Sequence, residues 1–169
     1  MQEQEWRPGI KGVIGVELEA HRVRKYLISH GVGYKTEHHP PAYTAQEVAA
    51  AEHIPGRSFA KPVIVYADGR LIMTVLPANR LLDLDKLKAV LGTDDVRLAR
   101  EEEFAPIFDD CERGAEPPFG NLYGIPTIVD VDLTTDEVTF NAGSHTETMK
   151  ISTIEYLGLV HPETADLAL

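Results

Sequence analysis

Val63-Ile64-Val65-Tyr66-Ala67-Asp68-Gly69-Arg70-Leu71-Ile72-Met73-Thr74-Val75-Leu76 is the stretch that decides the fold. Two apolar, β-branched runs flank Asp68-Gly69, a pair suited to the left-handed backbone angles of a tight turn. The segment is therefore expected to be an antiparallel hairpin. Phe59-Ala60-Lys61-Pro62 stands immediately before it. A buried strand rarely begins with an ammonium group unless that charge faces solvent or has something to hold. Lys61 therefore has two readings, a solvated strand-edge lysine or a functional cation, and composition alone favours the first.

Upstream, Val16, Ala20, Val23 and Leu27 recur at helical spacing, with Gly31 as the expected C-cap. Val32, Tyr34 and Thr36 alternate as a short strand leading into His38-His39-Pro40-Pro41. Thr44-Ala45-Gln46-Glu47 is a capping box, and its helix should run to about Glu52, before Pro55-Gly56. Downstream, Asp83 caps a helix whose Leu84, Leu87 and Leu91 face inward and which Gly92 closes. Val96 to Ala99 is expected as a strand and Arg100 to Phe108 as a helix. Ile125 to Val131 and Glu137 to Asn141 read as a strand pair around Thr134-Thr135-Asp136. Thr146 to Ile151 is a seventh strand, and Ser152-Thr153-Ile154-Glu155 is a second capping box. The residues after Pro162 read as a small tail. Strands and helices mix irregularly, which excludes a strictly alternating doubly wound fold. The pattern favours a mixed α/β architecture with one curled sheet of about seven strands and helices outside.

A chain of 169 residues suits a single domain spanning 1–169. No apolar run approaches the roughly 20 residues that cross a bilayer. Met1-Gln2-Glu3-Gln4-Glu5-Trp6 is acidic where a signal peptide would be basic, so the expected location is cytoplasmic. With one cysteine there is no intramolecular disulfide and no cysteine-rich zinc motif. The net charge of -11, with 16 basic against 27 acidic residues, argues against an extended nucleic-acid surface. A small site that accepts only the end of a nucleic acid stays compatible with that charge.

The usual catalytic signatures are missing. Cys111 lies in Asp109-Asp110-Cys111-Glu112, where carboxylates raise a thiol's pKa, so it reads as structural. His38, His39 and His145 lack metal-ligand spacing, and Asp130, Asp132 and Asp136 lack the glycine and glutamate of a calcium loop. No nucleophile elbow, Walker loop or dinucleotide fingerprint occurs, and Gly12-Val13-Ile14-Gly15 follows no strand. Neither a metal nor a cofactor is expected. An enzyme of this composition would work by positioning and by backbone dipoles. Gly114-Ala115-Glu116-Pro117-Pro118-Phe119-Gly120 is built for that, because prolines stiffen it and glycines expose its backbone N–H groups. A plain tight connection accounts for the same residues equally well.

Read in order, these segments resemble the YbaK/EbsC family of aminoacyl-tRNA deacylases, relatives of the editing domain of bacterial prolyl-tRNA synthetases. The resemblance rests on His39 to Ala49, Ala60 to Val65, Val75 to Ala78, Leu82 to Leu87, Val96 to Ala99, Pro118 to Gly120 and Phe140 to Gly143. It covers a core of about 34–157. It implies a partly barrel-like mixed sheet with one pocket for an aminoacylated adenosine. It further implies that Lys61 holds a phosphate or ester oxygen, that the loop at Gly120 puts backbone donors on the carbonyl, and that His145 is a polar residue of the pocket. Tyr43, Thr44, Pro118, Phe119, Gly143 and Ser144 are the implied substrate-binding positions. Attack would come from water positioned by the substrate's own ribose hydroxyl.

The implied partner is the acceptor end of an aminoacyl-tRNA, with an aminoacyl-tRNA synthetase as a further candidate. No membrane partner is implied. The chain departs from the family where Asp109-Asp110 replaces a common Thr-Gly, which leaves the misacylated amino acid open among alanine, cysteine, serine and others. The alternative reading is a non-catalytic binding or sensing module of the same fold that recognises an aminoacyl or nucleotide-like small molecule.

Overall fold

The computed structural model describes residues 21–169. The expected helix positions Val16 and Ala20, the Gly12 to Gly15 segment and the acidic Met1 to Trp6 stretch lie outside the described residues. Val23 and Leu27 are buried on helix α1 (Arg22–Ser29), as the helical spacing predicts.

The hairpin forms as expected. Strand β2 (Ala60–Ala67) pairs with β3 (Arg70–Pro77), from Ala60 opposite Pro77 to Ala67 opposite Arg70. Asp68 and Gly69 adopt φ of 51° and 78°, the left-handed pair that a two-residue turn requires. Side chains then alternate across the sheet. Ile64, Met73 and Val75 face one core, while Val65, Ile72 and Leu76 face another. A strand buried on both faces reads as an unbroken apolar run, and this explains the quoted stretch.

Around the hairpin stand β1 (Lys35–His38), α2 (Ala45–Ala51), α3 (Leu84–Leu91), β4 (Val96–Leu98) and α4 (Glu101–Phe104). They are followed by β5 (Thr127–Asp130), β6 (Glu137–Ser144), β7 (Glu147–Ser152), α5 (Thr153–Val160) and β8 (Glu163–Ala165). The Thr44 capping box is present in full, with the Thr44 oxygen accepting from the Glu47 N–H and Glu47 reaching back. Asp83 caps α3, and Gly92 closes it at φ 71°. Ser152 caps α5 by accepting from the Glu155 N–H.

Four expectations are corrected. The described residues form eight strands in two sheets, a five-stranded β4-β2-β3-β5-β8 and a three-stranded β1-β7-β6, where about seven strands in one curled, partly barrel-like sheet were expected. Neither sheet closes on itself, and the bridge between Phe59 and Thr139 links them at one point. Second, β5 does not pair with β6. It lies parallel to β3 and β8, because all four of its residues are buried and need cover on both sides. Asp130 turns the chain away by accepting from the Asp132 N–H at 2.9 Å.

Third, the helix expected over Arg100 to Phe108 ends at Phe104. Pro106 removes a donor and obstructs the preceding turn, so Ile107 and Phe108 continue in bonds to the third residue back. Fourth, the tail after Pro162 is part of the fold. Strand β8 extends the larger sheet, and Leu167 and Ala168 are fully buried in the core under α3.

The main core lies between the two sheets. Phe119, Phe140 and Tyr156 meet there edge to face, with centroids 5.3 and 5.2 Å from Phe119. Edge-to-face rings satisfy each other's quadrupoles in addition to burying area. This core holds the inner end of the loop that carries the candidate site.

Candidate functional site

Two segments clamp together to make a cleft. The first is the loop that leads from α4 toward β5, and the second is the β6–β7 turn. The Glu112 N–H donates to the Gly143 carbonyl at 2.8 Å, and the Gly143 N–H donates to the Ala115 carbonyl at 3.0 Å. The ladder register shifts between Asn141 and Ser144, a bulge in which Gly143 takes φ 101°. A Cβ there would stand 2.8 Å from the His21 ring, so glycine leaves room for that ring at the head of α1. The cleft between them measures about 520 Å³. It is lined by His21 and Arg22 at the head of α1, by Asp109 to Glu112, and by Gly143-Ser144.

Asp109 and Asp110 are largely occupied. Asp110 accepts from the Arg22 backbone N–H at 2.6 Å and from the Tyr123 hydroxyl at 2.8 Å. Asp109 pairs with the Arg22 guanidinium at 2.9 Å. Cys111 sits beside them, and burial pushes its thiol well above the ordinary range, with Asp110 adding to the effect. The thiol is therefore protonated at neutral pH and is no nucleophile. Burial, and not the neighbouring carboxylates expected from the sequence, is the larger cause.

Among the expected site residues, Gly143 and Ser144 line the cleft and His145 adjoins them. The His145 Nε2 lies 2.6 Å from the Arg113 carbonyl, an acceptor only, so Nε2 is the donor in this bond. Its backbone N–H donates to Glu112 at 2.7 Å, and the exposed Tyr43 ring packs 4.7 Å from the imidazole. Tyr43, Gly143, Ser144 and His145 are thus brought together. Thr44 is engaged in capping α2.

Pro118, Phe119 and Gly120 carry the same loop inward. The Pro118 carbonyl accepts from the buried Tyr156 hydroxyl at 2.6 Å, and Phe119 is fully buried. Gly120 is enclosed as well. A Cβ on it would lie 2.4 Å from the Thr127 Oγ1 and 2.7 Å from the Ile125 carbonyl oxygen.

Lys61 is not among the residues that line this cleft, and its hydrogen-bond partner among the described residues, Arg80, does not line it either. It is half-buried on β2, and its Nζ donates to the Arg80 carbonyl at 2.7 Å. Burial lowers its pKa from the ordinary value. No carboxylate pairs with it among the described residues.

No group of three or more His, Cys, Asp and Glu side chains suited to a metal occurs among the described residues. The adjacent histidines project differently: His38 lies 4.0 Å from Glu147, whereas buried His39 lies 3.6 Å from Glu52. Sequence reasoning did not single out Arg80, which holds Lys61, or Glu112 and Arg113, which hold His145. The first and last of these act through backbone carbonyls, which every residue has. No side-chain signal could have marked them.

Comparison with known proteins fits this architecture. A sequence model of the aminoacyl-tRNA editing domain matches residues 39–159, and the chain belongs to that family as a YbaK-like editing domain. The proline–tRNA ligase of Staphylococcus saprophyticus is 35% identical over 78 residues, and that of Thiobacillus denitrificans is 35% identical over 81. These matches cover 46% and 48% of this chain but only 13% and 14% of the ligases. A solved structure described as a candidate trans-editing enzyme for prolyl tRNA synthetase superposes with a TM-score of 0.78 at 26% identity. That alignment covers 90% of this chain and 98% of the other. A candidate signal transduction protein from Marinobacter aquaeolei shares the fold alone, with a TM-score of 0.64 at 17% identity over 93% of this chain and 30% of its own.

Proposed function

We propose that this chain is a single-domain trans-editing hydrolase that deacylates misacylated aminoacyl-tRNA. Lys61 supplies the positive charge that holds a phosphate or ester oxygen at the acceptor end. The loop at Gly120 directs backbone N–H groups at the ester carbonyl, where negative charge develops as water adds. His145 and its neighbours Tyr43, Gly143 and Ser144 contact the aminoacyl adenosine, with Pro118 and Phe119 setting the inner end of the loop. The substrate's free ribose hydroxyl positions the attacking water. The ester C–O bond then breaks, releasing the amino acid and a tRNA hydroxyl. No metal or cofactor takes part.

The observation that carries this reading is the state of Lys61. A half-buried ammonium group without a carboxylate partner among the described residues costs free energy. An incoming anion offsets that cost. The net charge of -11 keeps the rest of the surface from competing for nucleic acid, so contact is confined to the acceptor end. A prolyl-tRNA synthetase is the candidate synthetase partner, on the strength of the relatives' names.

The test is a panel of tRNAs charged with alanine, cysteine, serine or proline and incubated with catalytic amounts of protein. Release of one amino acid at many turnovers supports the reading. Binding of every substrate without release identifies a non-catalytic module and refutes it.

A further inference from the structure

We infer that Arg80 is the positioning residue for Lys61: its carbonyl oxygen holds the ammonium group, and its guanidinium fixes that carbonyl in place. The inference rests on the reading of Lys61 as the functional cation. A lysine head group rides on a flexible four-carbon stem, so a defined position requires an anchor. The one supplied among the described residues is the Arg80 carbonyl, 2.7 Å away. One N–H is committed there and the other two are left for a ligand oxygen.

That carbonyl lies on the connection between β3 and α3, the kind of segment that ordinarily moves. Here it is tied at both ends and in the middle. The Ala78 N–H donates to the Phe59 carbonyl at 2.9 Å, and the Asp83 N–H donates to the Leu167 carbonyl at 2.8 Å. Between them the Arg80 guanidinium spans two acceptors, Asp132 at 2.5 Å and the Leu169 carbonyl at 2.9 Å. Asp132 is steadied through buried Asp130, which also accepts from the Leu167 N–H at 2.7 Å.

The position of Lys61 is therefore referred to β5 and to the segment after β8. A planar fork can join two acceptors at fixed angles, and a lysine at this position would not. The Arg80–Asp132 pair is about one-third to one-half exposed, so it adds little to global stability. Its consequence is local, at the carbonyl that Lys61 uses.

The experiment compares wild type, Arg80→Met, Arg80→Lys and Asp132→Asn by two readouts. The first is the ¹⁵N–¹H signal of the Lys61 ammonium group, assigned by its absence in Lys61→Arg. Burial and a carbonyl acceptor slow its exchange with water, so wild type gives a resolved signal. Arg80→Met is expected to lose it, Arg80→Lys to keep it in part, and Asp132→Asn to broaden it. The second readout is deacylation. Arg80→Met is expected to lower kcat by about tenfold to a hundredfold with KM little changed, the effect of a misplaced group.

An unchanged Lys61 signal in Arg80→Met overturns the inference. So does a lost signal with unaltered kcat. If Arg80→Met does not fold, Asp132→Asn decides, since it keeps the Leu169 contact and weakens only one tie, by removing its charge. If wild type hydrolyses no substrate, the deacylase reading fails, and the ammonium signal still decides whether Arg80 holds Lys61.

Discussion

Replacing Gly120 with alanine puts a methyl group into space that is already occupied. The backbone there is not left-handed, so the requirement for glycine is one of room and not of φ. The new Cβ would meet the Thr127 Oγ1 at 2.4 Å and the Ile125 carbonyl oxygen at 2.7 Å. Thr127 is buried and β-branched, so its hydroxyl has little freedom to swing aside. The Ile125 oxygen belongs to the backbone, and the Ile125 N–H is bonded to the Gly120 carbonyl at 3.0 Å, so the turn cannot open without losing that bond.

Overpacking of this kind costs about 1–3 kcal/mol, and a backbone obstacle puts Gly120→Ala near the upper end. For a chain of this length each kcal/mol lowers the melting midpoint by about 2–4 °C, which gives a fall of roughly 5–10 °C. Gly158 supplies the internal control. It is exposed on α5, an added Cβ meets nothing within 4 Å, and Gly158→Ala should gain about 0.5–1 kcal/mol. Adding Thr127→Ala to Gly120→Ala should recover only part of the loss, since the carbonyl remains. Thermal melts and urea titrations of wild type and the three variants read these effects. A Gly120→Ala protein that melts with wild type would refute the packing argument, and with it the view that this loop is rigidly held.

The remaining predictions concern titration, burial and the site. Unfolded Cys111 ionises near its ordinary value of 9.0, while the folded thiol stays protonated to higher pH. The unfolded state then binds fewer protons, so stability is intact below pH 9 and falls above it, by at most about 1.4 kcal/mol per pH unit for this group. Tyr123, also raised by burial, adds to the slope above its ordinary 10.0. Urea titrations from pH 8 upward should show a shallower decline in Cys111→Ala than in wild type. Asp130→Ala should cost about 2–4 kcal/mol, because it leaves the Asp132 and Leu167 N–H groups without their charged acceptor; a midpoint shift under 1 °C would contradict that. Cys111→Ser should retain deacylation within about twofold, since a thiol with a raised pKa is not the nucleophile. A near-total loss in that variant would reopen cysteine chemistry.

Much of the fold was legible because its signals are local. Asp68-Gly69, the Thr44 capping box and the Asp83 to Gly92 helix each specify conformation within a few residues, and each stands as read. What was not legible depends on distant partners. Nothing in Thr127 to Asp130 says that it will pair with β3 in place of β6, since an unbroken buried strand is compatible with either neighbour. Glu163 to Ala165 has no alternating pattern, and it joins the sheet through backbone groups alone. Pro106 was the one local signal misjudged, because apolar spacing over Phe104, Ile107 and Phe108 outweighed a residue that ends helices.

The site divides in the same way. Tyr43, Gly143, Ser144 and His145 are near one another, and only the family resemblance, not any local spacing, names them together. The Arg80 carbonyl under Lys61 was not legible, because the sequence shows side chains and this contact is made by the backbone.

The account turns on Lys61, and single-turnover deacylation by wild type and Lys61→Ala tests it most directly. The substrate should be the misacylated tRNA that wild type hydrolyses fastest. Melting curves run alongside should show both proteins folded, since Lys61 forms no ion pair among the described residues. Hydrolysis in the variant should fall by about a hundredfold or more, the scale expected when an electrostatic contact to the reacting group is removed. Hydrolysis by Lys61→Ala at the wild-type rate would contradict it.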